Sequence, residues 1–185
     1  IAGDVNGTGV FTIAAPNGNT NRTLTLPDAT GTLLSTATPG VPIGGPAFFA
    51  QKSGVQTYTI NVNTKVTITT EVFDTNSNYD AANSRFQPTT AGYYQVNASL
   101  SHNFSGASGS TVYSYIYKNG VDYAVSSNIS NTVGGPYGAL GLSVLIYFNG
   151  STDFIEVYAR SSNNLPSIQV DSGTYFSAAL VRSAT

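Results

Sequence analysis

The chain has 185 residues, with seven Lys and Arg against nine Asp and Glu and a formal net charge of -2. That length allows one compact domain with a small appendage and excludes a large multidomain enzyme. Such a balance leaves no basic footprint for a nucleic-acid backbone or an anionic membrane, and the absence of Cys removes disulfides and thiolate chemistry.

Only 9% of residues are charged, while 41% are hydrophobic and about a third are Ser, Thr or Asn, so the surface is neutral and polar. The longest apolar runs, such as 142–148, are strand-sized, far below the ~20 residues of a membrane span, and predict no membrane insertion. A start at Ile1, without Met or a leader-type segment, reads as a piece of something longer.

Residues 1–45 differ in texture from the rest. They carry only three charges, Asp4, Arg22 and Asp28, and end in a Pro- and Gly-rich linker. So few large apolar side chains bury no core alone, and the segment is expected to need other copies of itself. From 46 onward no stretch has apolar positions at helical spacing. Short alternating runs predict strands at 46–51, 57–62, 64–73, 92–101, 111–118, 121–127, 139–148, 153–160 and 174–182. Asn-Gly at 119 and 149 marks tight turns, and the regular spacing predicts an all-β antiparallel sandwich, with a boundary near 45 and a head over 46–185.

The alternation also predicts packing. In 92–101, Tyr94, Val96, Ala98 and Leu100 share an apolar face opposite Tyr93, Gln95, Asn97 and Ser99. In 111–118, Tyr113, Tyr115 and Tyr117 oppose Val112, Ser114 and Ile116; in 139–148, Leu145 and Tyr147 oppose a continuous apolar row. Apolar residues on both faces imply cover from another copy, so Tyr113, Tyr115, Tyr117, Leu145 and Tyr147 are the expected subunit-interface residues.

Phe73-Asp74, Asn78-Tyr79-Asp80, Phe86, Gly92 and Tyr94, followed by Tyr117-Lys118-Asn119-Gly120, Phe148-Asn149-Gly150, Phe154 to Val157 and Tyr175 to Leu180, form an ordered set over 46–182. This set resembles the globular head of complement C1q and its tumour-necrosis-factor-like relatives. Val96 and Ala98 replace frequent aromatics, and Ala178 a frequent Gly. The resemblance implies a ten-stranded jelly-roll sandwich assembling as a homotrimer. Residues 23–33, Thr-Leu-Thr-Leu-Pro-Asp-Ala-Thr-Gly-Thr-Leu, look like a segment of phage tail-fibre and virion fibre proteins. That implies an extracellular virion location, with the rest of the fibre and a host cell-surface glycan or protein as partners.

Catalytic groups are scarce. His102 is the only histidine and is expected at a strand end in solvent. Asp153 and Glu156 are expected on opposite strand faces, as are Glu71 and Asp74, leaving Asp74 with Asp80 as a carboxylate pair or as turn caps. No cofactor is expected; calcium is a possible exception through the oxygens of Asp74, Asn76, Asn78 and Asp80. Recognition falls to the loops expected at 126–138 and 161–173, at the end away from the termini by family topology. Aromatic and amide side chains there suit neutral sugars, giving Tyr137, Asn128, Ile129, Asn131, Asn163, Asn164, Leu165 and Asp171 as receptor-binding candidates. The competing readings are a trimerisation cap or capsid decoration and, as an enzyme, a polysaccharide depolymerase.

Overall fold

A computed structural model describes Gly18 and residues 45–103, 110–130, 137–162, 167–168 and 173–184, the backbone alone at 110, 128–130, 137 and 167–168. The stem segment assigned to 1–45 thus lies, Gly18 and Gly45 apart, outside the described residues. Thirteen strands are described, all antiparallel, and there is no helix among the described residues.

One sheet holds β1 (Ala47–Gln51), β4 (Thr70–Asp74), β7 (Gly92–Asn103), β10 (Tyr137–Phe148) and β13 (Tyr175–Ser183), with the short β2 (Gln56–Thr57) and β12 (Ser167–Ile168). The other holds β8 (Ser110–Lys118), β9 (Val121–Ser130) and β11 (Ile155–Ser161), with the short β3 (Thr64–Lys65), β5 (Tyr79–Asp80) and β6 (Arg85–Phe86). β7 pairs with β10 along its whole length and with β13 and then β12 on its other side.

The core forms where the alternation places it. Tyr94, Val96, Ala98 and Leu100 from β7 face Ile116 of β8 and Ile155, Val157 and Ala159 of β11, all buried in one cluster. At its centre Phe48 stacks on Phe86 at 4.4 Å and on Tyr79 at 4.6 Å, and meets Phe176 edge-on at 4.9 Å. Such aromatic pairs add to the stabilisation from buried area alone.

Both Asn-Gly sites are turns, of different kinds. Asn119 and Gly120 have φ of 53° and 81°, a mirror-image turn matching the right-handed twist of β8 and β9. After β10, the Asn149 side-chain oxygen accepts the N–H groups of Ser151, Thr152 and Asp153 and holds a wider turn. Gly150 sits there at φ 72°, and a Cβ would come 2.5 Å from the backbone nitrogen of Ala91. Only glycine fits both demands.

The expected strands at 57–62 and 64–73 are corrected. Regular pairing survives only at 56–57, 64–65 and 70–74. Asn61 turns the chain at φ 58°, and side chains replace the missing ladder. Gln56 Oε1 accepts from the Thr67 backbone N–H, the Thr67 hydroxyl and Lys52 Nζ, while Lys52 Nζ also donates to the Thr67 carbonyl. Backbone groups thus satisfied need no neighbouring strand. Burial lowers the pKa of Lys52, whose ammonium meets neutral oxygens of Gln56 and Thr67.

Candidate functional site

The strands give the head two ends. At one, Gly92 pairs with Ser183 and with Phe148, and Leu180 N donates to the Pro46 carbonyl, so the head begins and the described chain finishes there. At the other, Asn103 pairs with Tyr137 and Ser167, Ser110 with Ser130, and Val112 with Ser161. The connections 104–109, 131–136 and 163–166 therefore all leave strands at the end away from the termini.

Both predicted recognition loops are shorter than expected. β9 continues to Ser130 and β10 begins at Tyr137, so Asn128, Ile129 and Tyr137 belong to strand backbones, opposite Val112, Thr111 and Asn103. Within the second, 167–168 forms a strand against Gln56–Thr57. Asn131, Asn163, Asn164, Leu165 and Asp171 lie outside the described residues. A third connection, 104–109, follows β7 at this end, and Gly and Ser between two alternating runs are its signal in the sequence.

The five expected interface residues divide between two faces. Leu145 and Tyr147, 51% and 42% exposed, stand on the outward face of the β7–β10 sheet. The Tyr147 ring lies 5.3 Å from that of Tyr93, itself 44% exposed. Farther across this sheet Phe49 stacks with Tyr175 at 5.5 Å and with Phe73 at 6.3 Å. Between these groups run Gln95, Asn97 and Ser143, where Gln95 Nε2 donates to Ser143 Oγ and Ser143 Oγ donates to Asn97 Oδ1. No charge interrupts the outward positions Tyr93–Asn97, Ala139–Tyr147 or Tyr175–Ala179. A hollow of about 240 Å³ at the base end is lined by Tyr93, Tyr147 and Arg182 with Ser183 and Ala184.

Tyr113, Tyr115 and Tyr117 instead lie on the outward face of the other sheet and cover one another. Neighbouring ring centroids are 6.0 and 5.9 Å apart, and Tyr115 is buried among its neighbours.

His102 is corrected. It is no solvent histidine at a strand end, because β7 runs on to Asn103 and the two-residue period carries His102 into the core beneath Leu100. Nδ1 lies 2.9 Å from the Tyr58 hydroxyl and Nε2 3.2 Å from Ser114 Oγ. Burial lowers its pKa to about 4, so the ring is neutral near pH 7, and burial raises the Tyr58 phenol well above its ordinary value. Ser114 beside a histidine has the makings of a nucleophile, but both are fully buried.

The carboxylates are also placed differently. Asp153 precedes β11 rather than alternating with Glu156 along it, and both are buried. Glu156 Oε1 takes Lys65 Nζ at 2.7 Å and Arg85 Nη2 at 2.8 Å. Asp153 binds Lys118 Nζ at 3.0 Å, Asn119 Nδ2 and the Asn149 N–H. Burial pushes both acids up, yet the bonds from Lys65 and Arg85 on Glu156, and from Asn119 and Lys118 on Asp153, outweigh it and leave both lowered.

In the 74–84 loop, Asp74 accepts the backbone N–H groups of Asn76 and Tyr79. Asp80 accepts from the Asn83 backbone and side chain, and its pKa is lowered by those bonds. Asn78 Nδ2 donates to the Asn76 carbonyl. These contacts are turn caps. Among the described residues no three His, Cys, Asp or Glu side chains group as metal ligands, so a cation here would draw on amide, hydroxyl and backbone oxygens beside the two aspartates. A hollow of about 260 Å³ between Ser77–Asp80, Gln87, Thr89 and Ser151 adjoins them.

No protein-family model matches the sequence, and no curated protein matches it. Solved structures match the shape. The globular domain of zebrafish complement 1qA aligns with a TM-score of 0.55 at 12% identity, over 76% of this chain and all of that one. Murine APRIL at pH 5.0 aligns with 0.58 at 10% identity, over 75% and 100% of the two chains. Eiger TNF from S. frugiperda aligns with 0.56 at 8% identity, over 80% and 96%. The fold is the C1q/TNF-like jelly roll. Two antiparallel sheets with aromatic packing between them are what the shared jelly roll consists of here, at an identity where the likeness is one of fold.

Proposed function

We propose that this jelly roll is the non-enzymatic receptor-binding head of a virion fibre, of the phage tail-fibre type. It acts as a homotrimer on a stem formed by residues 1–45 and recognises a host cell-surface structure, with glycan as the favoured class. The observation that carries the reading is the division of the head into two ends. The chain enters beside its own C-terminal strand, and the loop-bearing strand ends point the other way, which is the geometry of a tip. Burial of the His102–Ser114 pair and the ion pairing of Glu156 and Asp153 support binding over catalysis.

Self-association is assigned to the face carrying Tyr93, Leu145 and Tyr147, with Arg182 beside the two tyrosines at its base end, in line with the trimer that the C1q/TNF resemblance implies. Leu145→Asp is expected to dissociate the assembly, because a charge buried without a partner costs several kcal/mol. Light scattering reads the outcome: three times the 19.2 kDa chain mass for the parent and one for the variant. A parent protein that is monomeric at micromolar concentration removes this part of the reading.

Tyr137→Ala tests the tip. Host-cell binding is expected to fall while the melting temperature stays put, since a ring at a contact can be a binding hot spot. Unchanged binding in this variant and in one with 161–173 replaced by Gly and Ser moves the contact away from the tip.

The exposed Tyr93, Leu145 and Tyr147 also favour a second reading, a trimerisation cap without a receptor site. Grafting 46–185 onto a foreign trimeric stem separates the two, because only a receptor-binding head carries cell binding with it.

A further inference from the structure

Opposite the proposed subunit face, the outward side of the other sheet carries an aromatic row. Tyr113, Tyr115 and Tyr117 of β8 stand beside Arg160 and Tyr158 of β11, with Tyr117 and Tyr158 ring centroids 4.1 Å apart. The Arg160 guanidinium lies over the Tyr113 ring at 5.5 Å from its centroid. Ion pairs on this face centre on one carboxylate, Glu156, while Asp122 of β9, opposite Tyr117, stands exposed. Glu156 answers Lys65 and Arg85, whereas Arg160 has no carboxylate within ion-pairing distance among the described residues. It donates from Nη2 to Asn61 Oδ1 at 3.1 Å, and its Nε is buried without a partner. Without a counter-charge among the described residues, and held against a tyrosine next to the loop-bearing end of the head, this cation invites an anionic group.

We infer that Arg160 and Tyr113, backed by the buried Tyr115, form a subsite for a carboxylate-bearing sugar of an acidic cell-surface polysaccharide. A sugar carboxylate matches the forked N–H donors of a guanidinium in a way that a hydroxyl does not, while phenol rings and hydroxyls suit the body of a sugar. The flat β8–β11 surface, about 13 Å from Tyr113 to Tyr117 at ordinary strand rise, accommodates a chain lying along it. This rests on the reading of the head as a glycan-recognising domain and moves the acidic-sugar contact from loop tips to a strand face.

The test is calorimetric titration of the full chain with a sialic-acid trimer and a galacturonic-acid tetramer, each beside its carboxyl-reduced counterpart. At least one acidic probe is expected to bind tenfold or more tightly than its reduced form. Arg160→Gln is expected to abolish that difference at unchanged melting temperature and assembly mass, and Arg160→Lys to restore part of it. Should Arg160→Gln fold poorly, shifts of the Tyr113 and Tyr115 ring resonances in the parent protein upon titration report the same contact. Acidic probes that bind equally well to a folded Arg160→Gln, or that leave those rings unmoved, overturn the inference. So does binding of neutral sugars alone, which leaves the receptor-binding reading standing. Absence of any sugar binding overturns it too, and host-cell binding by the same preparation then decides separately whether the head is a receptor-binding domain.

Discussion

Phe48→Ala is expected to cost about 3–5 kcal/mol, a large share of the ~5–15 kcal/mol that holds a typical domain together. The ring is fully buried and touches Tyr79, Phe86 and Phe176, three side chains from different strands, so its removal leaves a void that no single neighbour fills. Urea unfolding at fixed protein concentration measures the loss as a lower midpoint. If the variant does not accumulate, Phe48→Leu, a smaller change in volume, is expected to fold with a smaller loss. A shift below about 1 kcal/mol for Phe48→Ala contradicts the central role given to this ring.

Acid is expected to weaken the head through His102. Its folded pKa of about 4 lies below the ordinary 6.5, so between these values the unfolded chain binds a proton that the folded one refuses. Stability is full above about pH 6.5, falls as pH drops through the window, and has lost about 3 kcal/mol by pH 4. Protonation demands that both ring nitrogens donate, to Tyr58 and Ser114, in a buried site that disfavours the cation. Asp153 and Glu156 act in the same direction lower down. Their lowered pKa values contribute stability above the ordinary 3.8 and 4.5 that is lost as pH falls through the folded values. His102→Gln separates the two, flattening the stability profile between pH 6.5 and 4 and leaving the drop below it. Denaturant midpoints measured at half-unit pH steps provide the check; an unchanged slope in the variant rules out His102 as its source.

The sandwich was legible in the sequence because its long strands have one buried and one outward face. Tyr94 to Leu100 announce their core side by alternation alone, whereas 111–118 is apolar on both faces and its core side, Val112 to Ile116, shows only in the fold. The same period, carried two residues past the expected end at 101, predicts the burial of His102; nothing in Ser-His-Asn marks the strand as continuing. The 56–69 stretch misled in the other direction. Its Thr, Val and Ile suit a strand, but the hydrogen bonds of Lys52, Gln56 and Thr67 are tertiary and leave no periodic trace. Pairs as short as Tyr79–Asp80 and Arg85–Phe86 are below the length at which periodicity exists. As for the site, alternation identifies outward residues and is silent on which sheet they share. Leu145 and Tyr113 therefore look equivalent in sequence and lie on different sides of the sandwich.

The chain enters the head at Ala47, and β1 lies between β13 and β4, hydrogen-bonded on both flanks over Ala47–Gln51 and Phe48–Gln51. Interstrand bonds run across the strand, so a pull along β1 from the residues before it loads all of them together, in shear, rather than peeling them one by one. Phe48 sits in the middle of that segment, locked between the rings of both sheets. For a head tethered through this strand and held at its far end, the anchor is among the best-secured parts of the fold, and mechanical failure begins with the sliding of β1 past two partners at once.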